Sequence, residues 1–324
     1  MAAVLVLEPI FEADLQPEQY AYRPDRSALD AVRAVHALVN TGHTEVVDAD
    51  LSGYFDSIPH TELMKAVSRR LSDRQLLHLL RQWLEMPVEE SDGRGRPRRT
   101  TRNKDEGRGS PQGAPISPLF ANLYMRRFVL GWKALGHARR FDAHIVNYAD
   151  DFVICCRGTA APAMTAMRAM MAKLKLTVNE AKTRLCRLPG ETFDFLGYTI
   201  GRCYSKQTGR AYLGTRPSAQ KVRRVCGAIS ESTGRHTTQL SAGEQVARLN
   251  RLLVGWANYF CLGPVSQAYR AIDQHVCRRL RQWLCVKHKV RGQGTARFPD
   301  ARLYRELGLV RLSGRTRSFS WAKA

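Results

Sequence analysis

A chain of 324 residues with 44% hydrophobic content can bury two or three cores, which excludes wholesale disorder. Its formal charge of +22 calls for a polyanionic partner, because clustered Lys and Arg gain affinity by releasing counterions from phosphates. Residues 201–324 hold 24 Lys plus Arg against 5 Asp plus Glu, a net +19 that leaves only +3 for residues 1–200, so the two parts are expected to do different jobs.

The apolar run Ala2 to Leu7 ends at Glu8, has no basic residue before it, and is too short for a signal peptide or a membrane span. A cytoplasmic protein with no membrane partner is expected. After Pro24, the spacing of Ala28, Val32, Val35, Leu38 and Val39 predicts a helix, followed by a strand over Glu45 to Leu51. Helical stretches follow at Leu63 to Leu71 and Leu76 to Met86. Residues 87–113 are rich in Gly, Arg, Asp and Pro and read as a mobile loop. A helix from Pro115 to about Leu135 comes next. Then the period changes to that of strands. His144 to Tyr148 and Phe152 to Cys156 are apolar runs separated by Ala149-Asp150-Asp151, a hairpin pattern with acids at its bend. A helix near Pro162 to Leu176 precedes strands around Arg184 to Leu188 and Thr192 to Ile200. Beyond residue 216 the pattern is helical over Ala219 to Ser230, Ala242 to Phe260 and Val265 to His288.

The eight cysteines have no zinc-knuckle spacing, and several lie in apolar runs where a reduced thiol behaves as a small core residue. The nine histidines are scattered, with no His-x-x-x-His pair on a plausible helix, and read as surface or core polar residues.

Two acidic positions, each ending a β-branched run, carry the chemistry: Asp50, and the pair Asp150-Asp151. Alternation sends adjacent strand side chains to opposite faces, so a tight bend is how both acids of the pair approach one site. Neighbouring carboxylates repel and resist ionising unless divalent cations neutralise them, which suits Mg²⁺ and phosphoryl transfer. An Asp-Asp pair alone is usually a solvated turn. Here it lies in Tyr148-Ala149-Asp150-Asp151, with Asp50-Leu51-Ser52-Gly53-Tyr54-Phe55-Asp56-Ser57-Ile58-Pro59-His60 and Gly109-Ser110-Pro111-Gln112-Gly113-Ala114-Pro115-Ile116-Ser117-Pro118-Leu119 in order before it. These blocks resemble those of group II intron-encoded reverse transcriptases. The resemblance extends upstream to Leu7-Glu8-Pro9-Ile10-Phe11-Glu12 and Tyr22-Arg23-Pro24, and downstream to Phe193-Asp194-Phe195-Leu196-Gly197-Tyr198. It ends in Gly255-Trp256-Ala257-Asn258-Tyr259-Phe260, which looks like the thumb, or maturase domain X.

That resemblance implies an α+β right-hand polymerase, with partial fingers and palm over residues 1–205 and a basic helical thumb/maturase region over residues 206–324. It implies RNA-templated addition of deoxynucleoside triphosphates to a DNA 3′ end with two Mg²⁺ ions, and binding of group II intron RNA to assist splicing. Asp50, Asp150 and Asp151 would be the catalytic metal ligands, joined by the Leu51 carbonyl. Phe55, Gln112, Gly113 and Lys182 would meet the incoming nucleotide, and Phe195, Leu196 and Gly197 would form the primer grip. From their own pattern, Arg278, Arg279, Arg281, Lys287, Lys289 and Arg291 would follow an RNA backbone while Leu280 and Trp283 pack inward. Relative to the family the chain begins late, without part of the fingers, and no His/Asn nuclease motif follows Trp321. A splicing cofactor without polymerase activity, and a reverse transcriptase domesticated for phage defence, remain alternatives.

Overall fold

The computed structural model describes residues 2–91, 97–111, 113–205 and 208–316, and helices and strands alternate along it as an α+β chain. It divides into two compact units, residues 1–195 and 196–324.

The first unit runs α1 (Ala2–Glu12), α2 (Ala28–Asn40), β1 (Glu45–Asp50), the single turn α3 (Tyr54–Ser57), α4 (His60–Val67), α5 (Arg74–Glu85), β2 (Val88–Ser91) and β3 (Pro97–Thr100). It continues through α6 (Arg102–Asp105), α7 (Ser117–Ala134), α8 (His137–Arg140), β4 (Ala143–Tyr148), β5 (Asp151–Cys156), α9 (Ala161–Lys173), β6 (Arg184–Arg187) and β7 (Phe193–Phe195). Helix starts follow capping chemistry. Ser27 and Asp30 close a reciprocal capping box on α2, and the Asp73 carboxylate accepts the Gln75 and Leu76 N–H groups at the start of α5, at 2.8 and 3.0 Å.

Strands β4, β5, β1 and β6 form an antiparallel sheet in that order. Its two faces differ. Val47 and Ala49 of β1, Phe152, Ile154 and Cys156 of β5, and Ala143 and Ile145 of β4 join a core with Phe120, Tyr124 and Phe128 of α7 and Met167 and Met171 of α9. By the period of two, Asp48 and Asp50 of β1 and Asp151 of β5 project from the opposite face. Tyr54 and Tyr124, both fully buried, anchor their phenols on the Ala121 and Leu174 carbonyls at 2.6 Å each, which satisfies their only polar atom.

Two expectations are corrected. Part of the stretch 87–113 is a hairpin and a helical turn, because β2 and β3 pair antiparallel with Glu89 opposite Arg99, whose side chains meet at 3.8 Å. Cross-strand charge complementarity does there what apolar alternation does elsewhere. The strand expected over residues 192–200 is interrupted at Leu196 and Gly197, whose φ angles of +50° and +83° no continuing strand allows.

The second unit opens with the antiparallel hairpin β8 (Tyr198–Tyr204) and β9 (Ala211–Pro217), then α10 (Ala219–Ser232), α11 (Ala242–Tyr259) and α12 (Ser266–Lys287). Ile229, Leu249, Leu253, Ile272, Val276 and Leu280 are completely buried between these helices. Asp273, buried in α12, accepts the Leu312 and Ser313 N–H groups at 2.8 and 2.9 Å and pins the closing segment.

Candidate active site

The β4–β5 hairpin turns through Ala149 and Asp150. Ala149 takes φ +58° and Asp150 does not share the positive sign, the pattern of a type II′ turn, which ordinarily takes glycine first. The buried Asn147 amide donates to the Ala149 carbonyl at 2.8 Å and supports this bend. Asp150 therefore sits in the turn, while Asp151 begins β5 directly opposite Asp50, and Tyr148 completes the same cross-strand row. Like charges placed opposite one another on one face destabilise a sheet unless a cation lies between them.

The segment 177–183 wraps Asp50. Leu51 and Val178 form an antiparallel bridge whose hydrogen bonds run from Asn179 N–H to the Asp50 carbonyl and from Ser52 N–H to the Thr177 carbonyl, both 2.9 Å. Neither bond uses the Leu51 carbonyl. The Asn179 amide and the Lys182 ammonium both donate to Asp50 Oδ2 at 3.1 Å. Lys182 is thus at the carboxylate, on a side chain 67% exposed and able to swing.

Five residues after Asp50, Phe55 packs edge-on to Tyr22, with ring centroids 6.5 Å apart. Its carbonyl accepts the Ser110 N–H at 2.8 Å, and the Ile58 carbonyl accepts the Gly109 N–H at 2.8 Å, so the 109–111 strip is fastened beside Phe55. A Cβ on Gly109 would lie 3.1 Å from the Asp56 carbonyl oxygen at φ +98°, which explains that glycine. Gly113 has φ +89° with open space around it, and Gln112 lies outside the described residues.

Sequence reasoning gave no role to Tyr22, Asn179 or Asp48. Partial burial, and then the charge of Asp150, raise the Tyr22 phenol, which marks it as a neighbour of that turn. The next residue, Arg23, has a side chain only 6% exposed, whose guanidinium meets Glu12 at 2.6 Å and donates to the Gln16 and Gln19 carbonyls at 2.7 and 2.8 Å. The upstream segments Leu7–Glu12 and Tyr22–Pro24 are therefore halves of one fastening. Asp48 lies two residues before Asp50 on the same face, 3.3 Å from Arg184 Nε. Burial pushes its carboxyl up to about 6, against the Arg184 charge and helped by Asp194 and Asp50. Since the folded state favours the protonated form, the stability Asp48 contributes is full below its ordinary value near 3.8 and is lost as pH rises through about 6. Urea unfolding in chelator at pH 4 and pH 6 is expected to show that loss in the wild type and a flatter response in Asp48→Asn.

Residues 1–200 match the family Reverse transcriptase (RNA-dependent DNA polymerase). The chain belongs to the reverse transcriptase family. Residues 222–298 match the Group II intron, maturase-specific domain, and the two matches together make it a group II intron reverse transcriptase/maturase with a right-hand polymerase fold. It is 30% identical over 265 residues to Protein YkfC of Escherichia coli K12, across 71% of this chain and 66% of that one. It is 27% identical over 135 residues to the Group II intron-encoded protein LtrA of Lactococcus lactis subsp. cremoris, across 41% of this chain and 21% of that one. The chain thus spans less than two thirds of the length of these relatives. Among solved structures, apo telomerase from Candida tropicalis superposes with a TM-score of 0.47 at 11% identity, over 93% of this chain and 50% of that one, a likeness too distant to carry an argument.

In the reverse transcriptase/maturase the other expected residues fall in two settings. Phe195 is fully buried at the end of the first unit. Leu196 and Gly197 open the second unit, with the Tyr259 hydroxyl donating to the Leu196 carbonyl at 2.9 Å, and a Cβ on Gly197 would meet Lys221 at 2.9 Å. Of the basic residues expected on RNA, Arg278, Lys289 and Arg291 are exposed. Arg279 instead donates to the Ser230 and Thr233 carbonyls at 2.9 and 3.2 Å, closing the C-terminal end of α10. Arg281 holds the Phe298 carbonyl and Asp300, and Lys287 donates to the Thr238 carbonyl at 2.9 Å over the Trp283 ring. Arg279→Ala is expected to lower unfolding stability by about 2 kcal/mol, since bonds from a charged donor to buried carbonyls are lost. Arg278→Ala leaves stability within about 0.5 kcal/mol; urea denaturation of the pair checks both. Among the described residues no helix is long and apolar enough to cross a membrane.

Proposed function

We propose that this chain is an RNA-directed DNA polymerase that adds deoxynucleotides to a DNA 3′ end on an RNA template, with two Mg²⁺ ions, and that it also binds its group II intron RNA to assist splicing. The observation that carries the reading is the carboxylate arrangement, Asp50 opposite Asp151 with Asp150 in the adjoining turn, within a chain whose first 200 residues match the reverse transcriptase family.

The donor set fits a hard divalent cation, since the carboxylates of Asp50, Asp150 and Asp151 and the Leu51 carbonyl offer oxygen alone. When bound, the ions supply the charge that lowers the pKa of a primer 3′-hydroxyl and offsets that of the departing pyrophosphate. The protein's own residues do the rest. Lys182 would leave Asp50 for the triphosphate, a movement of low cost because the ion pair is exposed. Phe55, edge-on to Tyr22, would pack under the sugar and exclude a 2′-hydroxyl. Gln112 and Gly113 would contact the nucleotide, with glycine admitting close approach. Phe195, Leu196 and Gly197 would grip the primer strand.

The second unit, at a net +19, supplies the electrostatic attraction to intron RNA through side chains such as Arg278, Lys289 and Arg291 that the fold leaves exposed. Its match to the maturase-specific domain supports the splicing role. The test is extension of a DNA primer on an RNA template with Mg²⁺, offering deoxy- or ribonucleotides. The wild type is expected to extend with deoxynucleotides and to discriminate about 100-fold against ribonucleotides, with Phe55→Val narrowing that ratio. No extension with either nucleotide, while intron RNA is still bound, would leave the splicing cofactor reading in its place.

A further inference from the structure

The β4–β5 hairpin has a second end. Five residue steps from the aspartate turn, about 17 Å along the strands, three side chains from two parts of the chain converge. His43, buried, follows α2; Asp142 precedes β4; His144 is the second residue of β4. His43 Nε2 lies 3.4 Å and His144 Nε2 3.9 Å from the same oxygen, Asp142 Oδ1. One ligand atom from each residue lies within 4.8 Å of the other two. Arg157 faces the other carboxylate oxygen, Oδ2, at 3.6 Å, so it holds Asp142 without occupying the convergence point.

The far ring nitrogen of His43 is hydrogen-bonded. Its Nδ1 lies 3.3 Å from the Leu38 carbonyl and 3.2 Å from Thr41 Oγ1, and the Thr41 hydroxyl already donates to that same carbonyl at 2.9 Å. With the Nδ1 proton on the Leu38 carbonyl, which only accepts, Nε2 faces the Asp142 carboxylate as the atom that would ligate a metal. A backbone carbonyl on the far nitrogen of a histidine is the usual support for a metal-binding imidazole. Asp142 is also held in the left-handed region, at φ +42°, with its carbonyl pinned by the Arg157 N–H at 3.0 Å.

We propose that His43, Asp142 and His144 form a three-ligand site for a divalent transition metal of the zinc class, with the remaining position open to water. Metal–nitrogen bonds of about 2.0–2.1 Å place tetrahedral ligand atoms about 3.3 Å apart, so His43 and Asp142 are already at that spacing, while the exposed His144 has to move in by up to about 1.5 Å from the 4.8 Å within which the three ligand atoms lie. Two imidazoles and one carboxylate select Zn²⁺ or Co²⁺ over Mg²⁺, which separates this site from the all-oxygen aspartate turn. The buried thiols on the neighbouring strand do not compete: burial pushes Cys156 up to about 12 and Cys155 further. A metal here ties the loop after α2 to the edge strand β4, so its effect is stabilising rather than catalytic.

The test is calorimetric titration of the untagged full-length chain with Zn²⁺ in millimolar Mg²⁺, with thermal melting in parallel. The wild type is expected to bind one Zn²⁺ and to melt higher with it, because a ligand of the native state adds stability by mass action. His144→Gln, an exposed change, is expected to melt unaltered without metal and to bind Zn²⁺ at least about tenfold more weakly, with the thermal shift lost; Asp142→Asn serves as the second variant. Undiminished Zn²⁺ affinity in both variants, or no binding by the wild type at about 100 μM, overturns the assignment.

Discussion

Asp50→Asn and Asp151→Asn are each expected to slow primer extension by about a thousandfold or more, equivalent to about 4 kcal/mol of transition-state stabilisation. The amide keeps the shape of the side chain and removes the charge, so the effect isolates electrostatics from packing. Stability moves in the other direction or hardly at all. Asp50 and Asp151 face each other across β1 and β5, and neutralising one relieves a like-charge pair. The ion pair from Lys182 that Asp50→Asn removes is largely exposed, and such pairs contribute less than about 1 kcal/mol. Single-turnover extension alongside thermal melting separates these effects. A variant that loses activity only because it melts below the assay temperature would refute the assignment of these carboxylates to chemistry.

Gly263→Ala carries the largest expected effect on stability. Gly263 has φ +71°, and a Cβ there would lie 1.8 Å from the Thr215 carbonyl oxygen, a backbone atom on β9 that no rotamer change can move aside. The left-handed conformation costs an L-residue about 1–2 kcal/mol, and forcing an atom into a packed contact adds about 1–3 kcal/mol. A loss of roughly 3 kcal/mol or more is expected in the second unit. Gly255→Ala, at a helical site with open space, is the matched control and is expected to be neutral or slightly stabilising. Equal melting temperatures for the two variants would show that the contact between Gly263 and Thr215 is not as described.

The acids at the β4–β5 bend were legible because a strand, a tight turn and a strand leave a local period in the sequence, and a two-residue turn fixes the register that sets Tyr148 opposite Asp151, whereas the pairing of Asp151 with Asp50 is non-local. The amphipathic helices were legible for the same reason, with ends set by Ser27 and Ser241 capping boxes. What escaped was non-local or depended on charge. The β2–β3 hairpin pairs Glu89 with Arg99 and offers no apolar alternation. Arg279 looks like one more cation on a basic helix, and only the position of the α10 carbonyls shows that it closes a helix end. His43 lies 99 positions before Asp142, and no spacing rule links it to the Asp142-Ala143-His144 stretch.

The most direct test of the central claim is Mg²⁺-dependent extension of a DNA primer on an RNA template by the wild type and by Asp150→Ala, with intron RNA affinity measured on the same preparations. Asp150 lies in the turn, outside the sheet core, so its truncation leaves the fold and the basic second unit intact. Extension by the wild type alone, with equal RNA affinity in both, is the predicted result. Extension by both proteins at comparable rates would contradict the account.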